Sequence, residues 1–262
     1  MRKILNVDSL NKKLLAIFLS ITIIPLMMTM IVIYYAMEQG FSKIIADRQT
    51  EMEHMIQTEF NNVSDKLLDL TTIYSKDEAL ILAFKSGDHA QLLKEVEKHY
   101  PRLQEEHALD VFEFGNTAGI VVLRGHNPSK FGDDKSGLPA IQSALNGQAI
   151  SGFEFGKSGL AVRAFTPVVY EGAVIGTLQT GLEGAFLQEL NEKMPNVVIN
   201  IYDSDGIIAV SSEAQNIGET LAEPSILEAA KNGEVTSQEN EKMMHSYMPM
   251  YDPTGSNLLG VI

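Results

Sequence analysis

Three patterns of hydrophobic and polar positions follow one another along the chain. Residues 14–37 contain no charged side chain, residues 41–74 place apolar side chains mostly three and four apart, and short apolar runs separated by turn residues begin after residue 109. At 1.5 Å per residue, the first stretch would span about 36 Å, more than the roughly 30 Å hydrocarbon core of a bilayer. The pattern therefore predicts a transmembrane helix, then a long helix, then β-sheet.

The apolar stretch has the features of a retained anchor rather than of a cleaved signal peptide. Signal-peptide cores run about 7–15 residues and end at a small-residue cleavage site, and no A-x-A sequence follows here. The basic residues before the span are Arg2, Lys3, Lys12 and Lys13. By the positive-inside rule, residues 1–13 are predicted to be cytoplasmic, and residues 38–262 to lie outside the inner membrane.

The predicted helical region covers residues 38–108. Its first part has neither proline nor glycine over 41–74, and a helix of about 34 residues is about 50 Å long. Because one small sheet cannot cover such a helix, we expect its membrane-proximal half to pack against a second copy in a homodimer. The alternative is a helix packed wholly within one chain. A second helical stretch spans about 88–106, and Pro101 predicts a break or kink in it.

Antiparallel β-structure is predicted after residue 109. The predicted strands are 110–114, 119–123, 152–155, 160–170 and 174–182. Glu171-Gly172 is expected to form a tight turn between the last two strands. A short helix is predicted at 138–145, ended by Asn146-Gly147.

Residues 197–262 repeat this order of strand, turn, helix and strand at an offset of about 82–87 residues. FEFGNTAGIVVL at 112–123 corresponds to INIYDSDGIIAV at 199–210, and LPAIQSALNGQAIS at 138–151 to EPSILEAAKNGEVT at 223–236. The recurrence predicts two tandem modules, 109–190 and 191–262, each with an antiparallel sheet. The predicted fold class is α+β.

Composition and charge exclude several classes of function. The chain has 20 basic and 34 acidic side chains, and a net charge of −14 disfavours a nucleic-acid partner. It has no cysteine, which excludes disulfides, thiolate zinc sites and cysteine nucleophiles. The sequence has no serine-hydrolase elbow, P-loop, dinucleotide-binding loop or EF-hand loop. We therefore expect no enzymatic activity, no cofactor, no metal and no nucleic-acid binding.

Two isolated basic residues, Arg124 and Arg163, lie within apolar predicted strands of the first module. A buried charge is costly without a partner, so each guanidinium should meet an acidic group. One interpretation is that a ligand carboxylate or phosphate accepts a bidentate pair of hydrogen bonds. The other is an internal pair with Glu154, Asp133 or Asp134. The two interpretations are compatible if Glu154 binds one arginine and the ligand binds the other.

Other residues of the first module are candidates for the same pocket. His126 follows Arg124, although its His-Asn-Pro turn also has a purely structural explanation. Phe153 and Phe165 are candidate apolar walls, with core packing as the alternative. Asp133 either holds an amine or caps the next helix. The predicted ligand-binding residues are Arg124, His126, Asp133, Phe153, Glu154, Arg163 and Phe165.

The order of elements and one motif resemble the double Cache sensor regions of bacterial chemoreceptors. The motif consists of LRGHNPSKFGDDKSG at 123–137 and GFEFGKSGLAVRAFTPV at 152–168, and it is similar to the subclass called double Cache domain 3. The resemblance covers about residues 38–262. It implies two PAS-like modules in an extracytoplasmic region that binds a small ligand and signals through a second transmembrane helix.

The resemblance implies a chemoreceptor-type transducer, and the two arginines favour a ligand site in the first, membrane-distal module. Two arginines favour an anion such as an organic acid or amino acid, whereas the acidic surface would favour a cation. The second module has His245 where the first has Arg163, so we expect it to transmit rather than to bind. We expect the sequence to be a piece of a longer receptor, because no second transmembrane helix follows LLGVI at 258–262. The alternatives are the input region of a histidine kinase or diguanylate cyclase, and a stand-alone anchored binding module.

Overall fold

The structure is a computed structural model that describes residues 7–156, 159–195, 197–239 and 243–262. Arg2 and Lys3 of the predicted cytoplasmic segment lie outside the described residues, as do Lys157 and Ser158 of the motif. The chain divides into two compact units, one up to Met52 and one from Glu53 onward.

The described residues form α-helices and β-strands that alternate along the chain after a helical N-terminal part. The helices are α1 Val7–Ser75, α2 Glu78–Lys85, α3 His89–His107, α4 Pro139–Leu145, α5 Ala185–Lys193 and α6 Ser225–Lys231. The first five strands are β1 Val111–Asn116, β2 Val121–Arg124, β3 Ile150–Gly156, β4 Gly159–Tyr170 and β5 Ala173–Glu183. The later strands are β6 Asn200–Asp203, β7 Ile208–Ser211, β8 Thr236–Glu239, β9 Met244–Tyr247, β10 Pro249–Tyr251 and β11 Leu258–Val261.

Helix α1 contains the predicted membrane span. It is helical without interruption for 69 residues and includes Pro25. Among the described residues, it is the one helix long and apolar enough to cross a membrane. A proline is tolerated in such a helix because its neighbours can satisfy the backbone groups that it frees.

The break predicted at Pro101 is absent from helix α3. The helix runs from His89 to His107 with Pro101 inside it. Proline removes one backbone hydrogen bond, but side chains on both sides of it are anchored in the core. The buried residues of α3 are Leu92, Val96, Tyr100 and Leu103. Their burial outweighs the missing hydrogen bond, since packing rather than propensity supplies most helical stability in proteins.

The first module has a five-stranded antiparallel sheet in the order β2-β1-β5-β4-β3. The predicted tight turn joins β4 to β5, and both of its residues have positive φ, 48° at Glu171 and 81° at Gly172. Two such residues give the turn that matches the twist of a hairpin. The strands predicted for this region are therefore present.

One face of this sheet packs against α1, α2 and α3. Phe112 contacts Tyr74 and Tyr100, and Phe114 stacks on Phe84 at 5.2 Å between ring centroids. We call this the helix face. At its centre, the buried hydroxyls of Thr71 on α1 and Thr180 on β5 form a hydrogen bond of 2.5 Å.

Replacing Thr71 with valine is expected to lower the free energy of unfolding by about 1–3 kcal/mol, because it leaves the buried Thr180 hydroxyl without its partner. Urea denaturation of residues 53–262 measures the change. Thr58 is exposed on the same helix, and Thr58→Val is the control, with an expected change within about 0.5 kcal/mol. Equal effects of the two variants would contradict a role for the Thr71–Thr180 bond.

The second module repeats the first with one strand divided. Its main sheet has the order β10-β11-β6-β7, and β8 pairs with β9 as a separate hairpin. Met248, between β9 and β10, exchanges both backbone hydrogen bonds with Ile262, at 3.0 and 2.9 Å. The order therefore matches that of the first sheet, with the fourth strand split into β9 and β10.

Glycines with positive φ recur at equivalent places in the two modules. Gly119 and Gly206 close the first hairpins, with φ of 75° and 77°. Gly132 and Gly218 lie in the segments that follow the second strands, with φ of 89° and 91°. Since glycine adopts this conformation without steric cost, the recurrence confirms the α+β fold of two tandem modules. The module limits at 109–190 and 191–262 stay predictions.

Helix α5, which the sequence analysis did not predict, joins the modules. Its buried residues Phe186, Leu187 and Leu190 belong to the same hydrophobic cluster as Phe112 of the first sheet and Ile201 of the second. The two modules therefore share one core.

Candidate ligand-binding site

The face of the first sheet opposite α1 carries charged side chains, and we call it the outer face. Side chains alternate between the faces of a strand. Glu113 lies opposite Arg124 and Gln179 in the register, and Phe165 also lies opposite Gln179. Arg163 is two residues from Phe165, so it shares this face.

Arg124 is held by internal partners through its Nε and Nη1 atoms. Its Nε donates to Glu113 Oε2 at 2.7 Å, and its Nη1 lies 2.6 Å from Asp133 Oδ2. Lys135 Nζ donates to the other Glu113 oxygen at 2.6 Å and to Gln179 Oε1 at 3.1 Å. Arg124 and Glu113 are only 7% and 3% exposed. The partners of Arg124 thus include Asp133, as one interpretation predicted, and Glu113, which was not predicted.

Asp133 lies in a loop that runs beside β2. Val121 N–H donates to Asp133 O, and Gly132 N–H donates to Val121 O, at 2.9 and 2.8 Å. The hydrogen bond from Arg124 holds the pKa of Asp133 below its usual value. The helix-capping alternative for Asp133 is wrong, because α4 follows Leu138 without any side-chain cap.

Arg163 is held by two carboxylates through two of its three guanidinium nitrogens. Its Nε donates to Glu154 Oε1 at 3.2 Å, and its Nη2 donates to Glu183 Oε1 at 3.0 Å. The residue is 6% exposed, and its buried Nη1 has no hydrogen-bond partner in the described part of the chain. A buried donor without an acceptor is costly, which makes this nitrogen the candidate donor for an added anionic oxygen.

Gly181 makes room for this guanidinium. It lies opposite Arg163 in the register, and a Cβ atom at Gly181 would be 1.9 Å from Arg163 Nη1. Any side chain at this position would therefore displace the nitrogen that lacks a partner.

His126 lies at the end of the same face. Phe112 N–H donates to His126 Nδ1 at 3.4 Å. Burial is the largest cause that lowers the pKa of His126; Glu113 opposes it, while the positive charges of Arg124, Lys135 and Arg163 lower the pKa further. His126 is therefore neutral at pH 7 and lies within electrostatic reach of both arginines.

The two predicted phenylalanines lie on opposite faces. Phe165 is completely buried on the outer face beneath α4, in a cluster with Ala140, Ile141 and Ala144. Phe153 pairs with Val162 and contacts Phe60 and Phe186 at 5.0 and 5.5 Å between ring centroids. The prediction that Phe153 lines the pocket is therefore corrected: its position on β3 turns it to the helix face, into the core.

The outer face also contains residues that the sequence analysis missed. Glu113 is a charged residue inside the buried strand VFEFGN, which is the same signal that identified the arginines. Glu183 and Gln179 are polar residues of β5. Lys135 comes from an irregular loop, where no pattern could have placed it. Among the described residues, no cluster could hold a metal ion.

The second module carries uncharged side chains at several matching positions. Asn200 and Ser211 face each other in the register as Glu113 and Arg124 do, and Ser211 Oγ donates to Asn200 Oδ1 at 2.6 Å. His245 lies opposite Gln238 as Arg163 lies opposite Gly152. At Asn200 and Ser211, the second module thus has an uncharged pair where the first has the ion pair of Glu113 with Arg124.

A family model described as "Double sensory domain of two-component sensor kinase", dCache_3, matches residues 33–249. The chain belongs to this family. The predicted resemblance to double Cache domain 3 is confirmed, and the chain is a sensory, ligand-binding domain of the extracytoplasmic type. Among curated proteins, none matches this dCache_3 chain in sequence.

Several solved structures share the dCache_3 fold. The periplasmic domain of Vibrio cholerae LuxQ is 14% identical with a TM-score of 0.55, over 81% of this chain and 96% of that one. The sensor domain of the V. cholerae histidine kinase DctB is 14% identical with a TM-score of 0.52, over 81% and 96%. A Vibrio parahaemolyticus domain assigned to the sensory box/GGDEF family is 13% identical with a TM-score of 0.53, over 81% and 93%. At these identities the similarity shows the fold alone.

Proposed function

We propose that this dCache_3 chain is the ligand-sensing region of a chemoreceptor-type transducer, and that a small anion binds to the outer face of its first module. The observation that carries the proposal is Arg163, whose buried Nη1 lacks a hydrogen-bond partner among the described residues. A guanidinium binds carboxylate or phosphate through several N–H groups at once. Glu154 and Glu183 occupy the other nitrogens and fix the direction in which Nη1 points.

The remaining predicted site residues support the same kind of ligand. Arg124 and Asp133 hold the loop that borders the face, and neutral His126, whose Nδ1 accepts from Phe112 N–H, offers its Nε2–H as a donor. Phe165 is covered by α4 and supports the face from beneath without meeting the ligand. A site of this kind is expected to bind rather than to catalyse, in keeping with a sensory domain family.

The proposed setting is the inner membrane, with residues 14–37 as the anchor and residues 38–262 outside the cytoplasm. The exposed apolar residues of the membrane-proximal helix, Phe41, Ile44 and Ile45, suit a homodimer. Ligand binding would signal only by favouring one of two conformations through a difference in affinity.

A histidine-kinase input region is the second candidate function. The family description, which names two-component sensor kinases, favours it. Sequencing the gene beyond codon 262 separates the candidates. A methyl-accepting coiled coil supports the chemoreceptor, and a kinase core supports the alternative.

The ligand proposal predicts a thermal shift. A carboxylate ligand at about 100 times its dissociation constant should stabilise residues 53–262 by about 2.7 kcal/mol. For a chain of this size, that corresponds to an increase in Tm of roughly 5–10 °C. Differential scanning fluorimetry against organic acids, amino acids and amines measures it.

Arg163→Lys should abolish the shift, because lysine keeps the charge but loses the planar set of donors. Arg102 is exposed on α3, and Arg102→Lys is the matched control that should keep the full shift. A ligand that stabilises Arg163→Lys as strongly as the parent protein would overturn the assignment of the anion to Arg163. Stabilisation by amines but not by carboxylates would also overturn this assignment.

A further inference from the structure

An extended turn of the second module contacts the first module. The turn between β10 and β11 has six residues, 252–257, whereas the equivalent turn between β4 and β5 has two. Pro253 in the longer turn lies against Gly152 on β3, where a Cβ atom would be 2.8 Å from Pro253 Cα. The contact therefore depends on the additional residues of the turn and on glycine at 152.

The extended turn is internally braced. Asp252 Oδ1 accepts hydrogen bonds from Thr254 Oγ1 and Ser256 N–H at 2.8 and 3.1 Å, and its Oδ2 accepts one from Asn257 Nδ2 at 2.7 Å. The turn continues directly into β11, which lies between β10 and β6 in the second sheet. A displacement of Pro253 is therefore passed to an interior strand rather than absorbed by a loose loop.

Strand β3 is the other half of the contact, and it also carries a partner of Arg163. It lies at the edge of the described sheet and pairs there with β4 alone, so one ladder of backbone hydrogen bonds rather than two opposes its movement. Gly152 lies directly opposite Arg163 in the register. Glu154, two residues further along, binds Arg163 Nε at 3.2 Å. Residues two apart on a strand are separated by about 7 Å.

We propose that β3 transmits the state of Arg163 to the second module. A ligand that redirects Arg163 changes its pairing with Glu154 and moves the edge strand. Gly152 then displaces Pro253, and the braced turn passes the displacement to β11. This inference rests on the proposed function, because it takes Arg163 as the residue that meets the ligand.

Hydrogen exchange tests the proposal without any ligand. The unit that begins at Glu53 contains every buried side chain of the described residues, so residues 53–262 keep the whole core. Glu154→Gln weakens the pairing of β3 with Arg163. We expect amide exchange in the peptide covering 252–262 to increase roughly three- to tenfold.

Glu183→Gln is the matched control. Glu183 binds the same guanidinium at 3.0 Å and is similarly exposed, at 37% against 30% for Glu154, but it lies on β5. We expect exchange in 252–262 to stay unchanged in this variant. Unchanged exchange in Glu154→Gln, or an equal increase in both variants, would overturn the transmission by β3.

Gly152→Ala separates the contact from the ion pair. Its Cβ forces Pro253 away, so exchange in 252–262 should increase, and adding Glu154→Gln should increase it no further. An additive effect in the double variant contradicts the proposal. If Gly152→Ala does not fold, comparison of Glu154→Gln with Glu183→Gln still tests the transmission by β3. A negative exchange result does not affect the proposal that an anion binds Arg163, because the thermal-shift measurement tests that binding separately.

Discussion

Replacing Arg124 with alanine is expected to lower the free energy of unfolding by about 3–5 kcal/mol, the cost of breaking a buried ion pair by removing one partner. The variant leaves the Glu113 carboxylate, which is almost fully buried, with Lys135 as its remaining charged partner. It also frees the loop at Lys130, whose carbonyl accepts a hydrogen bond from Arg124 Nη1 at 2.9 Å. Urea denaturation of residues 53–262 at pH 7 measures the loss.

Arg102→Ala is the control for this prediction. Arg102 forms an exposed pair with Glu106 at 3.2 Å, and such pairs contribute at most about 1 kcal/mol. If Arg124→Ala costs no more than this control, Arg124 is not part of a stabilising buried network. Retention of the Glu113–Lys135 contact alone would then account for the stability of the face.

Gly181→Ala is expected to cost about 2–4 kcal/mol and to abolish ligand stabilisation. The added methyl group would lie 1.9 Å from Arg163 Nη1 and 2.9 Å from its Cδ and Cζ atoms. Overpacking a buried site costs about 1–3 kcal/mol, and displacing the guanidinium also strains its pairs with Glu154 and Glu183. Urea denaturation measures the first effect, and thermal shift with a carboxylate that binds the parent protein measures the second.

Gly137→Ala provides the matched control, because nothing lies within 4 Å of a Cβ at that position. It should change stability by no more than about 0.5 kcal/mol and should keep the ligand response. A Gly181→Ala protein that binds the carboxylate as well as the parent does would show that Arg163 Nη1 does not meet the ligand.

Much of the fold could be predicted from the sequence because the signals were local. The strands of the first sheet follow from apolar runs bounded by turn residues, and the turn at Glu171-Gly172 follows from its chemistry. Helix α5 was missed because its 9 residues are too few for a clear period and no Asn-Gly signal, such as the one after α4, marks its end. The predicted break at Pro101 is absent because the side chains that anchor α3 on both sides of it meet their partners only in the folded core.

Only part of the candidate site could be predicted, because some of its contacts exist only in the folded protein. Arg124 and Arg163 were found because a charge inside an apolar strand needs a partner whatever the fold. Phe153 was misplaced because neighbouring residues of a strand point to opposite faces, and Phe153 is adjacent to Glu154 on β3. Lys135 reaches Glu113 from a loop, and this contact exists only in the tertiary structure.

The uncharged pair Asn200–Ser211 has an evolutionary consequence. Two copies of one fold in the same chain differ in whether these positions carry charge, so the strand order does not require the ion pair. Exchanging both members of a buried pair together is tolerated far better than removing one. Relatives that respond to different molecules can therefore diverge by concerted substitutions on the outer face while their scaffold stays the same.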